Sequence, residues 1–191
     1  FKDDDFIMLD DIINSIKNLK PVSGRLEQIG NIKNNSRVIL DYAHTPDALE
    51  ASLKSIKEQF KNRQISIVFG CGGDRDKTKR PMMGKIVNQY CDRVYLTDDN
   101  PRHENPKIIR NSIRKKINKS KIYEISSRAS AIKKAILDLN TGDILIVAGK
   151  GHEKIQEIGA RKIFFSDKKI ILDAIKAKNL NLSKNIVKIL F

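Results

Sequence analysis

Four short apolar runs, Arg37–Leu40, Ile65–Phe69, Arg93–Thr97 and Ile144–Ala148, each stop at a polar motif rich in glycine, proline or aspartate. Between them the period of the apolar residues changes. Pro46–Phe60 spaces Leu49, Leu53, Ile56 and Phe60 at intervals of three and four, with Thr45 and Pro46 suited to an N-cap and first turn. Pro81–Tyr90, Lys107–Ile117 and Ala129–Leu139 are also helix-like. Lys121–Ile125 and Lys162–Phe165 add two strands, and Asp167–Ala177 a closing helix with Ser166 or Asp167 at its start. Strands alternating with helices of this length predict the α/β class: a Rossmann-like, mostly parallel sheet with helices on both faces. Ahead of this pattern, Phe6, Leu9, Ile12, Ile13, Ile16 and Leu19 mark an amphipathic helix that ends before Pro21, and residues 179–191 read as a further helix or a tail.

Composition narrows the class. A length of 191 residues accommodates one sizeable α/β domain and a short extension. No apolar run approaches the roughly 20 residues that span a bilayer, and the acidic opening, Lys2–Asp5, is unlike a secretory signal. The expected location is therefore cytoplasmic, without a membrane partner. Cys71 and Cys91 have no partner at C-x-x-C spacing and read as free thiols; His44, His103 and His152 lie apart, so no metal site is expected. The net charge of +14 favours anionic ligands or is background. It is spread along the chain without an arginine run or interleaved aromatic residues, which weighs against nucleic acid and leaves a basic nucleic-acid-binding module as the competing class.

In an open parallel sheet, ligands bind beyond the carboxyl ends of the strands. Four motifs fall there: Asp41–Pro46, Gly70–Asp76, Asp98–Arg102 and Gly149–Glu153. Each also has a plain reading. The glycines at 70, 72 and 73 suit a tight turn, Asp41 and Thr45 suit turn and cap positions, Asn100-Pro101 initiates turns, and Gly149-Lys150-Gly151 lacks the spacing of a Walker A loop. No single motif decides between a site and a set of turns.

Taken in order, Gly24–Glu27, Asp41–Asp47, Gly70–Pro81, Thr97–Arg102 and Val147–Glu153 resemble the C-terminal domain of the Mur ligase family, over roughly Pro21–Asp167. The nearest resemblance is to the branch that adds meso-diaminopimelate to UDP-N-acetylmuramoyl-L-alanyl-D-glutamate in peptidoglycan-precursor synthesis, with the L-lysine-adding branch as the alternative. The resemblance implies that Arg25 contacts nucleotide phosphate, that Asp41 binds the ATP ribose and that Tyr42 and His44 lie near the nucleotide. It implies that Arg80 and Arg102 hold the carboxylates of the amino acid and that Asp99, Asn100 and Pro101 belong to the D-N-P-R signature for its side-chain end. Gly149, through its carbonyl, and Glu153 would hold its distant ammonium group. ATP, Mg2+ and the dipeptide-bearing uridine nucleotide are the implied co-substrates. The P-loop, the magnesium ligands and the uridine-nucleotide site belong, in that family, to central and N-terminal domains. Residues 1–20 match the last helix of the central domain and 21–191 the C-terminal domain, so this chain is not expected to ligate by itself.

Overall fold

The computed structural model describes residues 11, 13, 14 and 22–190, with side chains up to Ser183. The helix expected over Phe6–Leu19 lies outside the described residues apart from positions 11, 13 and 14, which are helical. A six-stranded sheet runs in the order β1-β2-β6-β3-β4-β5, where β1 is Glu27–Gln28, β2 Arg37–Asp41, β3 Ile65–Phe69, β4 Arg93–Leu96, β5 Ile122–Glu124 and β6 Ile144–Ala148. All its pairings are parallel except β1 on β2. The helices are α1 Pro46–Gln59, α2 Lys79–Tyr90, α3 Pro106–Arg114, α4 Arg128–Leu137 and α5 Asp167–Leu190.

Handedness and strand order divide the helices between the faces. From β2 through β5 the chain moves across the sheet in one direction, and right-handed crossovers then keep α1, α2 and α3 on one side. The return from β5 to β6 reverses direction, so α4 crosses on the other side. Alternating side chains of the strands follow this division. Ile39, Ile65, Ile67, Phe69, Ile144 and Ile146 pack with Leu49, Leu53, Met83, Val87 and Ile109, while Val38, Leu40, Val68, Leu145 and Val147 pack with Ile132, Ile136, Ile171 and Ile175. Every residue of β3 and β6 is buried, which is why these strands read as continuous apolar runs.

Thr45 caps α1 by accepting from the Ala48 N–H at 3.4 Å, and Asn105 and Ser127 cap α3 and α4 in the same manner. Two features depart from the expectations. Residues 179–190 neither form a separate helix nor trail away; they continue α5, since neither glycine nor proline interrupts the segment. A second small sheet, β7 Ile155–Ile158 paired antiparallel with β8 Arg161–Phe164, follows the loop after β6. Its attachment to Arg102 concerns the site.

Candidate functional site

The loops after β2, β3, β4 and β6 meet at one edge of the sheet around a cleft of about 630 Å³. Asp99, Asn100, Arg102, Gly149 and Glu153 line it, as do Tyr42 and His44. The loop backbones interlock closely. Gly73 donates its N–H to the Asn100 carbonyl at 2.8 Å, and a Cβ at position 73 would stand 1.9 Å from the Pro101 oxygen, so any larger residue there forces the two loops apart. Gly149 adopts φ +109°, a conformation costly for other residues, and brings its backbone against the Asp99 carboxylate.

Arg102 is held in the left-handed region, φ 49°, a strain of about 1–3 kcal/mol that surrounding contacts must offset. The β7–β8 hairpin supplies them. Arg102 donates its N–H to the Glu157 carbonyl at 3.1 Å, Gly159 donates to the Arg102 carbonyl at 2.7 Å, and Nε of Arg102 pairs with Glu157 Oε2 at 2.7 Å. Nη1 donates to the Gly73 carbonyl at 2.8 Å. The guanidinium is thereby clamped at the wall of the cleft. Two buried cations adjoin it: Arg128, which lies in none of the four motifs, and Lys150, which the sequence offered only as part of Gly149–Glu153. Lys150 sits between Asn100 and Glu153, and Arg128 sits between Asp167 and Asp99, with Nη1 at 3.9 Å from Asp99 Oδ2 and without a hydrogen-bond partner.

Two of the expected contact residues are placed elsewhere. Pro101 is buried under the loop and does not line the cleft. Arg80, on the first turn of α2, points inward: it is 2% exposed and donates to both oxygens of Glu104, at 3.0 and 2.8 Å, and to the Gly72 carbonyl at 3.3 Å. Both Nη groups of Arg80 are thus engaged within the protein, while its buried Nε has no hydrogen-bond partner. Arg75, exposed and lining the cleft, stands where a ligand carboxylate could reach it, and Lys79 lines the same wall. Its signal in the sequence was only its membership of the Gly70–Asp76 motif.

The Arg80 hydrogen bonds hold the Glu104 carboxyl down to about 2, with burial opposing and the Asp74 N–H assisting. A depressed carboxyl stabilises the fold above its unfolded value near 4.5, and that contribution disappears as pH falls from there through about 2. We therefore expect Glu104→Gln to flatten the pH dependence of the unfolding midpoint between about pH 4.5 and 2 relative to the wild type. Parallel slopes for the two proteins across that window would refute the assignment.

A second cavity, of about 300 Å³, adjoins the first and shares Tyr42 and His44; Arg25, Leu26, Asp41 and Ser52 also line it. The four residues expected toward nucleotide, Arg25, Asp41, Tyr42 and His44, are thus brought together. Arg25 lies over the Tyr42 ring at 5.6 Å, and His44 and His152 flank that ring at 4.7 and 5.4 Å between centroids. Asp41 accepts from the Leu26 and Tyr42 N–H groups through Oδ1 and from Ser52 through Oδ2 at 2.6 Å. These bonds fix a carboxylate with acceptor capacity left for a sugar hydroxyl. Cys71 lines the main cleft, but burial pushes its thiol up to about 12, so it is no nucleophile at neutral pH. Among the described residues no group of three or more His, Cys, Asp or Glu could hold a metal ion, and no helix is long and apolar enough to cross a membrane.

Comparison with known proteins bears on what this edge of the sheet serves. The family model described as Mur ligase, glutamate ligase domain, matches residues 24–151. A UDP-N-acetylmuramoyl-L-alanyl-D-glutamate--2,6-diaminopimelate ligase of Rickettsia rickettsii is 48% identical over 168 residues, which cover 87% of this chain and 34% of the relative. The Buchnera aphidicola protein of that name is 48% identical over 170 residues, 88% of this chain and 33% of its own. The chain thus spans about a third of the length of these curated relatives. A solved structure of a ligase of the same name superposes with a TM-score of 0.76 at 39% identity, covering 88% of this chain and 34% of its own. A UDP-N-acetylmuramate-alanine ligase from Thermotoga maritima, at 19% identity and a TM-score of 0.58 over 93% of this chain and 34% of its own, shares the fold.

Proposed function

We propose that this chain, which belongs to the Mur ligase family, is the domain that grips the incoming amino acid and one side of the nucleotide in a cytoplasmic ATP-dependent ligase. Its reaction is the addition of meso-diaminopimelate to UDP-N-acetylmuramoyl-L-alanyl-D-glutamate in peptidoglycan-precursor synthesis. The observation that carries this reading is the make-up of the main cleft, where Arg75 and Arg102 face Asp99 and Glu153 in one space. Two guanidinium groups and two carboxylates complement an amino acid with a second zwitterionic head. The names of the relatives that are 48% identical support the same assignment.

In this proposal Arg102 and Arg75 bind ligand carboxylates, the role first expected of Arg80 passing to Arg75 because Arg80 is already paired with Glu104. Asp99, Glu153 and the Gly149 carbonyl take the distant ammonium group, leaving the reacting amine directed out of the cleft. Arg25 approaches nucleotide phosphate, and Asp41 the ribose, with Tyr42 and His44 beside it. When bound, ATP supplies a phosphoryl group that activates the acceptor carboxylate for attack by the amine. We assign Mg2+, the phosphate-binding loop and the uridine-nucleotide site to further domains of the ligase, of whose length this chain spans about a third. Binding and orientation are this domain's contribution.

L-lysine lacks the second carboxylate and would leave Arg102 without its partner, a loss of a few kcal/mol. The complete ligase is expected to show a kcat/KM for meso-diaminopimelate at least about 100-fold above that for L-lysine. Equal turnover of the two amino acids would sink the specificity reading in favour of the lysine-adding branch.

A further inference from the structure

Lys150 belongs to the loop after β6, yet its side chain turns inward and is 0% exposed. An ammonium is a strongly hydrated point charge, so its complete enclosure requires acceptors placed for it. Nζ donates to Asn100 Oδ1 at 2.8 Å and to Glu153 Oε2 at 2.8 Å. Asn100 Oδ1 accepts a second bond, from the Glu157 N–H at 3.0 Å. An asparagine amide can present either an acceptor or a donor, and ordinarily its surroundings decide which. Here two donors, the Lys150 ammonium and the Glu157 N–H, both take Oδ1. Nδ2 donates one hydrogen to Glu153 Oε2 at 3.3 Å and has a second to offer, and Asn100 lines the cleft.

We infer that Lys150 is a positioning residue that sets the polarity of the amino-acid subsite. It makes Asn100 a donor toward a ligand carboxylate, and by occupying Glu153 Oε2 it leaves Oε1 as the acceptor for a ligand ammonium. The inference rests on the functional reading above and deepens it, since it assigns opposite charge preferences to two neighbouring side chains that share one buried cation. Without Lys150 the amide is free to turn over and Glu153 loses its partner. The donor and acceptor ends of the subsite are then no longer distinguished.

The test uses the complete ligase. Lys150→Met is expected to raise KM for meso-diaminopimelate about 30-fold while kcat and KM for ATP move less than about threefold. A merely structural lysine would instead lower activity toward every substrate together with the unfolding midpoint. Asn100→Asp provides a second variant: it keeps an oxygen for Lys150, but it removes the donor and sets a carboxylate oxygen toward Glu153, with the Lys150 ammonium between the two. It is expected to raise KM for meso-diaminopimelate by at least a similar factor, with KM for ATP within about threefold of wild type. Wild-type KM for meso-diaminopimelate in folded Lys150→Met, or in Asn100→Asp if the first variant does not fold, overturns this inference alone. A wild-type ligase that does not use meso-diaminopimelate overturns the functional reading and this inference with it.

Discussion

Asp167→Asn is expected to destabilise the domain by about 3–5 kcal/mol, because it leaves a buried guanidinium with no carboxylate nearer than Asp99, 3.9 Å away and not hydrogen-bonded to it. Arg128 and Asp167 are both 0% exposed in their side chains and meet in a fork, Nε to Oδ1 at 2.9 Å and Nη2 to Oδ2 at 2.6 Å. Nη2 also donates to the Ala148 carbonyl at 2.9 Å, the last residue of β6. One pair therefore ties the start of α4, the start of α5 and the end of the central strand together beneath the site. Asparagine offers one oxygen where two were used and turns an amide N–H toward the guanidinium. For a domain of this size, a loss of that magnitude lowers the unfolding midpoint by roughly 6–20 °C. The double variant Arg128→Met/Asp167→Leu, which removes both charges together, is expected to recover most of the loss, since a buried pair contributes little net stability over apolar packing. A drop below about 1 kcal/mol for Asp167→Asn, or a double variant less stable than the single one, would contradict this account.

The buried pair also illustrates which parts of the molecule the sequence disclosed. β2, β3, β4 and β6 were legible because central parallel strands are apolar on both faces and stop where polar loops begin. The four strand-end motifs were legible for a related reason: a parallel sheet sends all its carboxyl ends to one edge. The β7–β8 hairpin is different. Every residue of β8 is exposed and β7 alternates weakly, so it carries no inside-outside pattern, and it was seen only in part as Lys162–Phe165. β1 is two residues long and offers no period at all. The burial of Arg128 and Lys150 is not legible in the sequence, because such residues are solvated by default. What buries Arg128 is an aspartate 39 positions later, and what buries Lys150 is an asparagine 50 positions earlier. Arg75 and Arg80 show the same limit within a single stretch of sequence: both are arginines, and only the direction imposed by the first turn of α2 commits Arg80 to Glu104.

On the function proposed above, Arg102→Ala is expected to lower kcat/KM for meso-diaminopimelate by about 100- to 1000-fold in the complete ligase, the loss of roughly 3–4 kcal/mol of charge-assisted pairing. Glu157 holds Nε and the Gly73 carbonyl holds Nη1, whereas Nη2 makes no hydrogen bond to protein among the described residues. The fork is thus fixed from behind and open in front. Turnover of L-lysine, which has no carboxylate to place there, should change by less than about threefold, so the preference between the two amino acids collapses. The fold should survive, because a partly exposed Arg102–Glu157 pair contributes at most about 1 kcal/mol. Arg102→Lys separates charge from geometry: it keeps the charge but loses the fork, and an intermediate fall of about tenfold is expected. The discriminating result is the ratio of the two substrates' kcat/KM values, since general damage to the enzyme lowers both together. If Arg102→Ala retains meso-diaminopimelate turnover within about threefold of wild type, the carboxylate contact lies elsewhere in the cleft. Arg75, facing the same space, would then be the residue to carry it.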